Sequence, residues 1–199
     1  SNLNRQLFAL RSTIGMSKAE VAAARVRDIN PDCEVEPRVT FIHTDTLPDL
    51  LTPRPDVMID AIDSMTCKVV LMRTAHEQAI PILTAMGAGG RTDSSLLRVG
   101  DLSETRLCPL AARVRKELRK AGITKGIRCV YSLEPADNKR PANPIDIEPH
   151  RGPGRQRRPV GTISYMPAIV GLKVAEEVLQ MLLRPGKPGS PPSPGAGQP

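Results

Sequence analysis

The chain has 199 residues and a net charge of +7, from 28 Lys and Arg against 21 Asp and Glu. That balance favours an anionic partner such as a nucleotide or RNA, although basic tails alone would give the same number. Aromatic residues are 2% with no Trp, so the core has to be aliphatic, and no stretch approaches the ~20 continuous apolar residues of a membrane span.

In chain order, the opening Ser-Asn-Leu-Asn-Arg-Gln is neither a signal peptide nor a usual start of translation, and it reads as cut from something longer. Lys18–Ile29 carries Val21, Ala22, Ala24, Val26 and Ile29 at helical spacing, with Ser17 as N-cap and Asn30-Pro31 as the stop. A strand centred on residues 39–42 follows, then a Pro-rich turn at 48–55. Residues 57–62 are apolar except for Asp60, the pattern of a buried strand in a parallel sheet. A helix over 66–79 and an apolar strand over 80–85 come next, ending in Met-Gly-Ala-Gly-Gly, which reads as a turn rather than a phosphate loop. This order belongs to the second part of a doubly wound α/β unit.

Residues 97–102 predict a strand running into a turn at Asp101. Residues 109–121 predict a basic amphipathic helix, stopped by Gly122. Its Leu110, Val114 and Leu118 share one face, and Arg113, Arg115, Lys116, Arg119 and Lys120 lie mostly outside it. A strand over 127–132 follows. The Pro-, Gly- and Arg-rich stretch 137–160 reads as a loop or insertion, either solvated or in contact with RNA. A strand at 161–166 and a helix over 167–183 complete the domain begun by 1–136. The helix has Ile169, Leu172, Ala175, Val178, Leu179 and Leu182 as apolar positions, able to serve core or interface. Residues 185–199 form a Pro/Gly/Ser tail expected to be disordered.

Three charged features could meet at one site: Arg5, Lys18 opening the first helix, and Asp63 ending the central strand. Phosphoryl and adenylyl transfer need cations on the phosphate oxygens and a carboxylate to hold magnesium. Arg offers a fork and Lys a point charge. Asn2 and Asn4 could add neutral hydrogen bonds. The plainer alternatives are that Arg5 and Lys18 are solvated surface charges and that Asp63 or Ser64 caps the next helix. Asp60, inside the strand, reads as a structural carboxylate.

Cys33, Cys67, Cys108 and Cys129 make no Cys-x-x-Cys pair, which argues against a structural zinc site or a disulfide framework and fits a reduced, cytoplasmic setting. Cys129 reads as a small packing residue rather than a nucleophile, and His43, His76 and His150 show no ligand spacing.

Taken together, Ser-Asn-Leu-Asn-Arg-Gln at 1–6, Gly15 to Lys18, Ile29-Asn30-Pro31 and Asp-Ala-Ile-Asp-Ser at 60–64 resemble the ordered motifs of the ubiquitin-activating-enzyme-like (ThiF/MoeB/HesA) adenylating family. Residues 86–93, Cys108-Pro109-Leu110-Ala111, Val130-Tyr131-Ser132 and 161–172 are similar to its branch that dehydrates threonylcarbamoyladenosine in tRNA. The branches that activate sulfur carriers commonly have four zinc-binding cysteines, which have no counterpart here. The resemblance implies an α/β, Rossmann-like, doubly wound and mostly parallel sheet. The family's glycine-rich loop and first β-α-β elements are expected to precede Ser1, so the chain alone is expected to bind ATP weakly. By resemblance, Asn2, Arg5, Gln6 and Lys18 contact ATP, Asp63 holds Mg2+ and Ser64 lies near the nucleotide. A homodimer and a sulfur-transfer (cysteine desulfurase) partner are implied likewise. The alternatives are adenylation of a ubiquitin-like or sulfur-carrier C-terminus, and a non-catalytic tRNA- or protein-binding fragment.

Overall fold

Four strands and five helices are present among the described residues, which in this computed structural model are 2–137 and 161–183. Gly15, at φ +88°, turns the chain into α1 (Lys18–Ile29), whose bounds match the apolar spacing. Ser17 stands at its N-cap, but its hydroxyl makes no capping bond. Only Ala23 of α1 is buried.

The Pro-rich turn contains a single helical turn, α2 (Leu47–Leu50), whose Leu47 enters the core. Then come β1 (Met58–Asp60), α3 (Met65–Glu77), β2 (Ile82–Ala85), β3 (Leu97–Asp101), α4 (Pro109–Lys120), β4 (Arg128–Ser132) and α5 (Tyr165–Leu183). The sheet order is β1-β2-β4-β3, with β1, β2 and β4 parallel and β3 antiparallel to β4.

Alternation along the strands builds two layers. Met58, Ile82, Cys129 and Tyr131 face α3 and α4, joining Leu71, Met72, Ala75, Ala111, Val114 and Leu118 in the larger core. Leu83 and Val130 face the other way, onto Val170, Val174 and Val178 of α5. The helix cores thus settle on i, i+3 and i, i+4 positions. Leu110 is half-buried, and Ala111 takes the fully buried place beside Val114 and Leu118. Gly122, at φ +78°, ends α4 with the Ile123 N–H donating to the Leu118 carbonyl, the backbone arrangement for which glycine is favoured.

Two predicted strands are not formed. Residues 35–43 form no strand, and Phe41 is 72% exposed. Strand formation needs a hydrogen-bonding neighbour, and among the described residues none lies beside the outer edge of β1. Ile59, on the α5 side of that edge strand, is 52% exposed because α5 packs over β2 and β4. Residues 161–164 are likewise loop, and α5 starts at Tyr165 instead of 167. Pro167 fits because its missing N–H falls in the first turn, where amides have no helical partner. The readings of 138–160 and 184–199 lie outside the described residues.

Candidate functional site

Because β1, β2 and β4 run in one direction, their carboxyl ends share one edge of the sheet, the edge at which open α/β sheets bind ligands. Asp63 follows β1 there and is exposed. Ser64 occupies the N-cap of α3 with extended backbone, φ −73° and ψ 117°, yet its side chain makes no capping bond. The Lys68 N–H instead donates to the Ser64 carbonyl at 2.9 Å. The cap alternative therefore fails for the Ser64 hydroxyl. Both residues stand at the positive end of the α3 dipole, which favours an anion nearby.

Directly beneath is a buried polar cluster. Asp60 and Thr84 are register partners on β1 and β2, and each is fully buried. Lys68, about one turn into α3 and also fully buried, donates from Nζ to Asp60 Oδ2 at 2.5 Å, Thr84 Oγ1 at 2.9 Å and the Ala85 carbonyl at 3.0 Å. Thr84 Oγ1 donates to Asp60 Oδ2 at 2.6 Å, and the Ile62 N–H donates to Oδ1 at 2.9 Å. Burial pushes the Lys68 ammonium below its ordinary value of 10.5, opposed by the charge and hydrogen bond of Asp60 and, more weakly, by Asp63.

The cluster locks the ends of β1 and β2 to α3, and so fixes the backbone on which Asp63 stands. Asp60 is a structural carboxylate, as its place inside the strand predicts. Lys68 and Thr84 are not singled out by sequence pattern. The available signal was a lone Lys amid Cys67, Val69, Val70 and Leu71, since a buried ammonium requires a buried partner.

The N-terminal segment reaches the same edge through hydrogen bonds. The Arg5 and Gln6 N–H groups donate to the Asn2 carbonyl at 3.1 and 3.0 Å, forming a turn. Arg5 Nη2 donates to Asn2 Oδ1 at 3.0 Å and Nη1 to Asn4 Oδ1 at 2.8 Å. Asn4 Nδ2 donates to the Thr162 carbonyl at 3.2 Å, while the neighbouring Gly161 carbonyl accepts the Gly90 N–H at 2.8 Å. Gly90 lies in the loop that follows β2. Asn2, Asn4 and Arg5 are thus brought together beside the carboxyl edge, and Gln6 joins them through its backbone. Lys18 is exposed at the first turn of α1.

The glycine loop after β2 is held as a turn. Gly90 has φ +68°, and the buried Arg91 donates to the Gly87 carbonyl and to that of Glu134 at 3.0 Å. Burial pushes the Cys129 thiol up to about 12, so it stays protonated and packs in the sheet. No group of three or more His, Cys, Asp or Glu suited to a metal occurs among the described residues. A single carboxylate still suits magnesium, which is commonly held by one or two carboxylates together with substrate phosphates.

A mostly parallel α/β sheet whose strand ends gather polar side chains at one edge is the frame on which nucleotide-binding enzymes are commonly built, and the sequence matches the ThiF family over residues 1–194. The chain belongs to that family. It is 34% identical over 193 residues to the tRNA threonylcarbamoyladenosine dehydratase of Bacillus subtilis, covering 92% of this chain and 73% of that protein. Against the Escherichia coli protein of the same name it is 39% identical over 141 residues, which is 67% of this chain and about half, 53%, of the relative. The fold matches the crystal structure of the E. coli enzyme TcdA in complex with ATP at a TM-score of 0.78 and 32% identity, over 92% of this chain and 70% of that one. The same enzyme in complex with AMP matches at a TM-score of 0.77.

Proposed function

We propose that this chain carries out ATP-dependent adenylation and cyclising dehydration of threonylcarbamoyladenosine in tRNA. The observation that carries this is the superposition of 92% of the chain on an ATP-bound tRNA threonylcarbamoyladenosine dehydratase. In the proposed reaction, a threonylcarbamoyl carboxylate oxygen attacks the α-phosphorus of ATP and pyrophosphate leaves. The side-chain amide nitrogen then attacks the acyl carbon, AMP leaves with the oxygen, and the ring closes. Water is lost overall at the expense of ATP.

In this reading Arg5, oriented by Asn2 and Asn4, supplies a fork to phosphate oxygens. Lys18 adds a point charge at a helix N-terminus, where an anion is doubly favoured. Asp63 would hold Mg2+, which when bound neutralises charge on the phosphates. Ser64 and Gln6 lie near the nucleotide. Pyrophosphate release that depends on threonylcarbamoylated tRNA tests the reading. Asp63→Asn should lower it by about 100-fold or more with unchanged melting, because Asp63 is exposed. Release that is indifferent to the threonylcarbamoyl group would overturn the reading.

A homodimer is the assembly that α5 supports. Ala168, Leu172, Ala175, Leu179 and Leu182 are all exposed and repeat at spacings of four and three, the seam of a helix pair. Leu172 is 71% exposed. Leu172→Asp should halve the mass seen by sedimentation, and a wild-type monomer would refute the assembly. The sulfur-transfer partner implied by the resemblance is tested by copurification with a cysteine desulfurase. All four cysteines are free thiols, which supports a cytoplasmic setting.

A further inference from the structure

We propose that the exposed face of α4 and its flanks is the surface that grips the tRNA backbone, a reading that rests on tRNA being the substrate. Residues 104–128 hold eight cationic side chains and two anionic ones, a net +6 of the chain's +7. The fold sorts these charges. Arg115 turns inward to the Thr105 carbonyl, Arg128 pairs with Glu177 at 2.7 Å and Lys120 pairs with Glu117 at 2.7 Å. Arg106, Arg113, Lys116, Arg119 and Lys125 are all exposed, and none has an ion-pair partner among the described residues.

Of the nearby acids, Glu117 pairs with Lys120 and Asp101 is held by backbone amides. The Asp101 carboxylate accepts the N–H groups of Ser103 at 2.8 Å and Gly126 at 2.7 Å. Burial pushes that carboxyl up, but these bonds outweigh it and hold the group ionised and occupied. Arg119 and Lys125 flank a small hollow between the end of α4 and the Asp101 turn.

The cations form a directed track. At about 1.5 Å rise per residue, Arg113, Lys116 and Arg119 are spaced about 4.5 Å apart along the axis. The track starts beside the candidate site, because Arg91 donates both to Gly87, just past β2, and to Leu107, just before α4. A regular row of cations leading into a nucleotide site suits phosphate neutralisation along one strand. A membrane surface fits poorly, since such helices also expose an apolar face, whereas Ala111, Val114 and Leu118 are buried in the core.

The test measures binding of unmodified tRNA to the full chain across salt concentrations, separately from pyrophosphate release. Arg113→Gln, Lys116→Gln and Arg119→Gln should each weaken binding about five- to eightfold at 0.1 M salt and reduce the salt slope by about 0.7–0.9. Lys173→Gln, on the opposite layer, is the control and should change neither. Affinities within twofold of that control would overturn the surface even if modified tRNA still triggered pyrophosphate release. Loss of tRNA binding in the α4 variants without any tRNA-dependent release from the wild type would retain the surface and sink the proposed reaction. Displacement of tRNA by polyglutamate at equal charge would reassign the face to an acidic protein partner.

Discussion

Replacing Lys68 by Met keeps most of the stem volume and deletes the ammonium. Nζ makes three hydrogen bonds, to Asp60, Thr84 and the Ala85 carbonyl, and both charged partners have no exposure to solvent. The loss therefore resembles removal of one partner from a buried ion pair, about 3–5 kcal/mol, because a buried carboxylate is left with Thr84 and Ile62 as its remaining donors. For a domain of this size that is a fall of roughly 6–20 °C in melting temperature. Urea unfolding followed by circular dichroism measures it, with an unchanged m-value indicating that both states keep their surface. The double variant Lys68→Met/Asp60→Asn removes the charge as well, and Asn can accept from the Ile62 N–H through Oδ1 while its Nδ2 donates to the Thr84 hydroxyl. It should recover most of the loss. A single-variant cost under about 1 kcal/mol, or a double variant no better than the single, would refute the account of this cluster.

Cys129 sets an alkaline limit on stability. The unfolded thiol ionises near 9.0, while the folded one holds its proton to about 12, so the folded state binds more protons between those values and loses stability as pH rises. The stability advantage of wild type over Cys129→Ala should shrink by about 1.5 kcal/mol between pH 9 and pH 10.5. A constant difference across that range would mean that folding leaves the thiol unperturbed. At Gly122, φ is +78° and an added Cβ meets no atom within 4 Å, so Gly122→Ala should cost about 1 kcal/mol through backbone strain alone. A neutral substitution in thermal melts would show that the end of α4 relaxes freely.

What the sequence determined by itself was the local pattern and the chemistry attached to it. Helix α1 followed from its apolar spacing, α4 from an amphipathic run closed by Gly122, and β1, β2 and β4 from short bounded apolar segments. The motif order around Arg5, Lys18 and Asp63 carried the family. Tertiary structure decided everything that depends on a partner distant in the chain. Residues 39–42 have strand propensity but no pairing neighbour among the described residues, so they form no strand, with Val39 and Phe41 exposed and Ile42 partly packed on the core. Lys68 looks like an ordinary helix lysine until the β1–β2 register sets Asp60 against Thr84 beneath it. The five apolar positions of α5 outside its buried face look the same in sequence as those that pack on Leu83 and Val130. Arg5 and Asp63 are separated by nearly a third of the chain, and contacts from Asn4 through Thr162 and Gly161 to Gly90 tie the N-terminal turn to the loop after β2. Periodicity is a property of neighbours along the chain, whereas burial, ion pairing and site assembly depend on which segments the fold packs together.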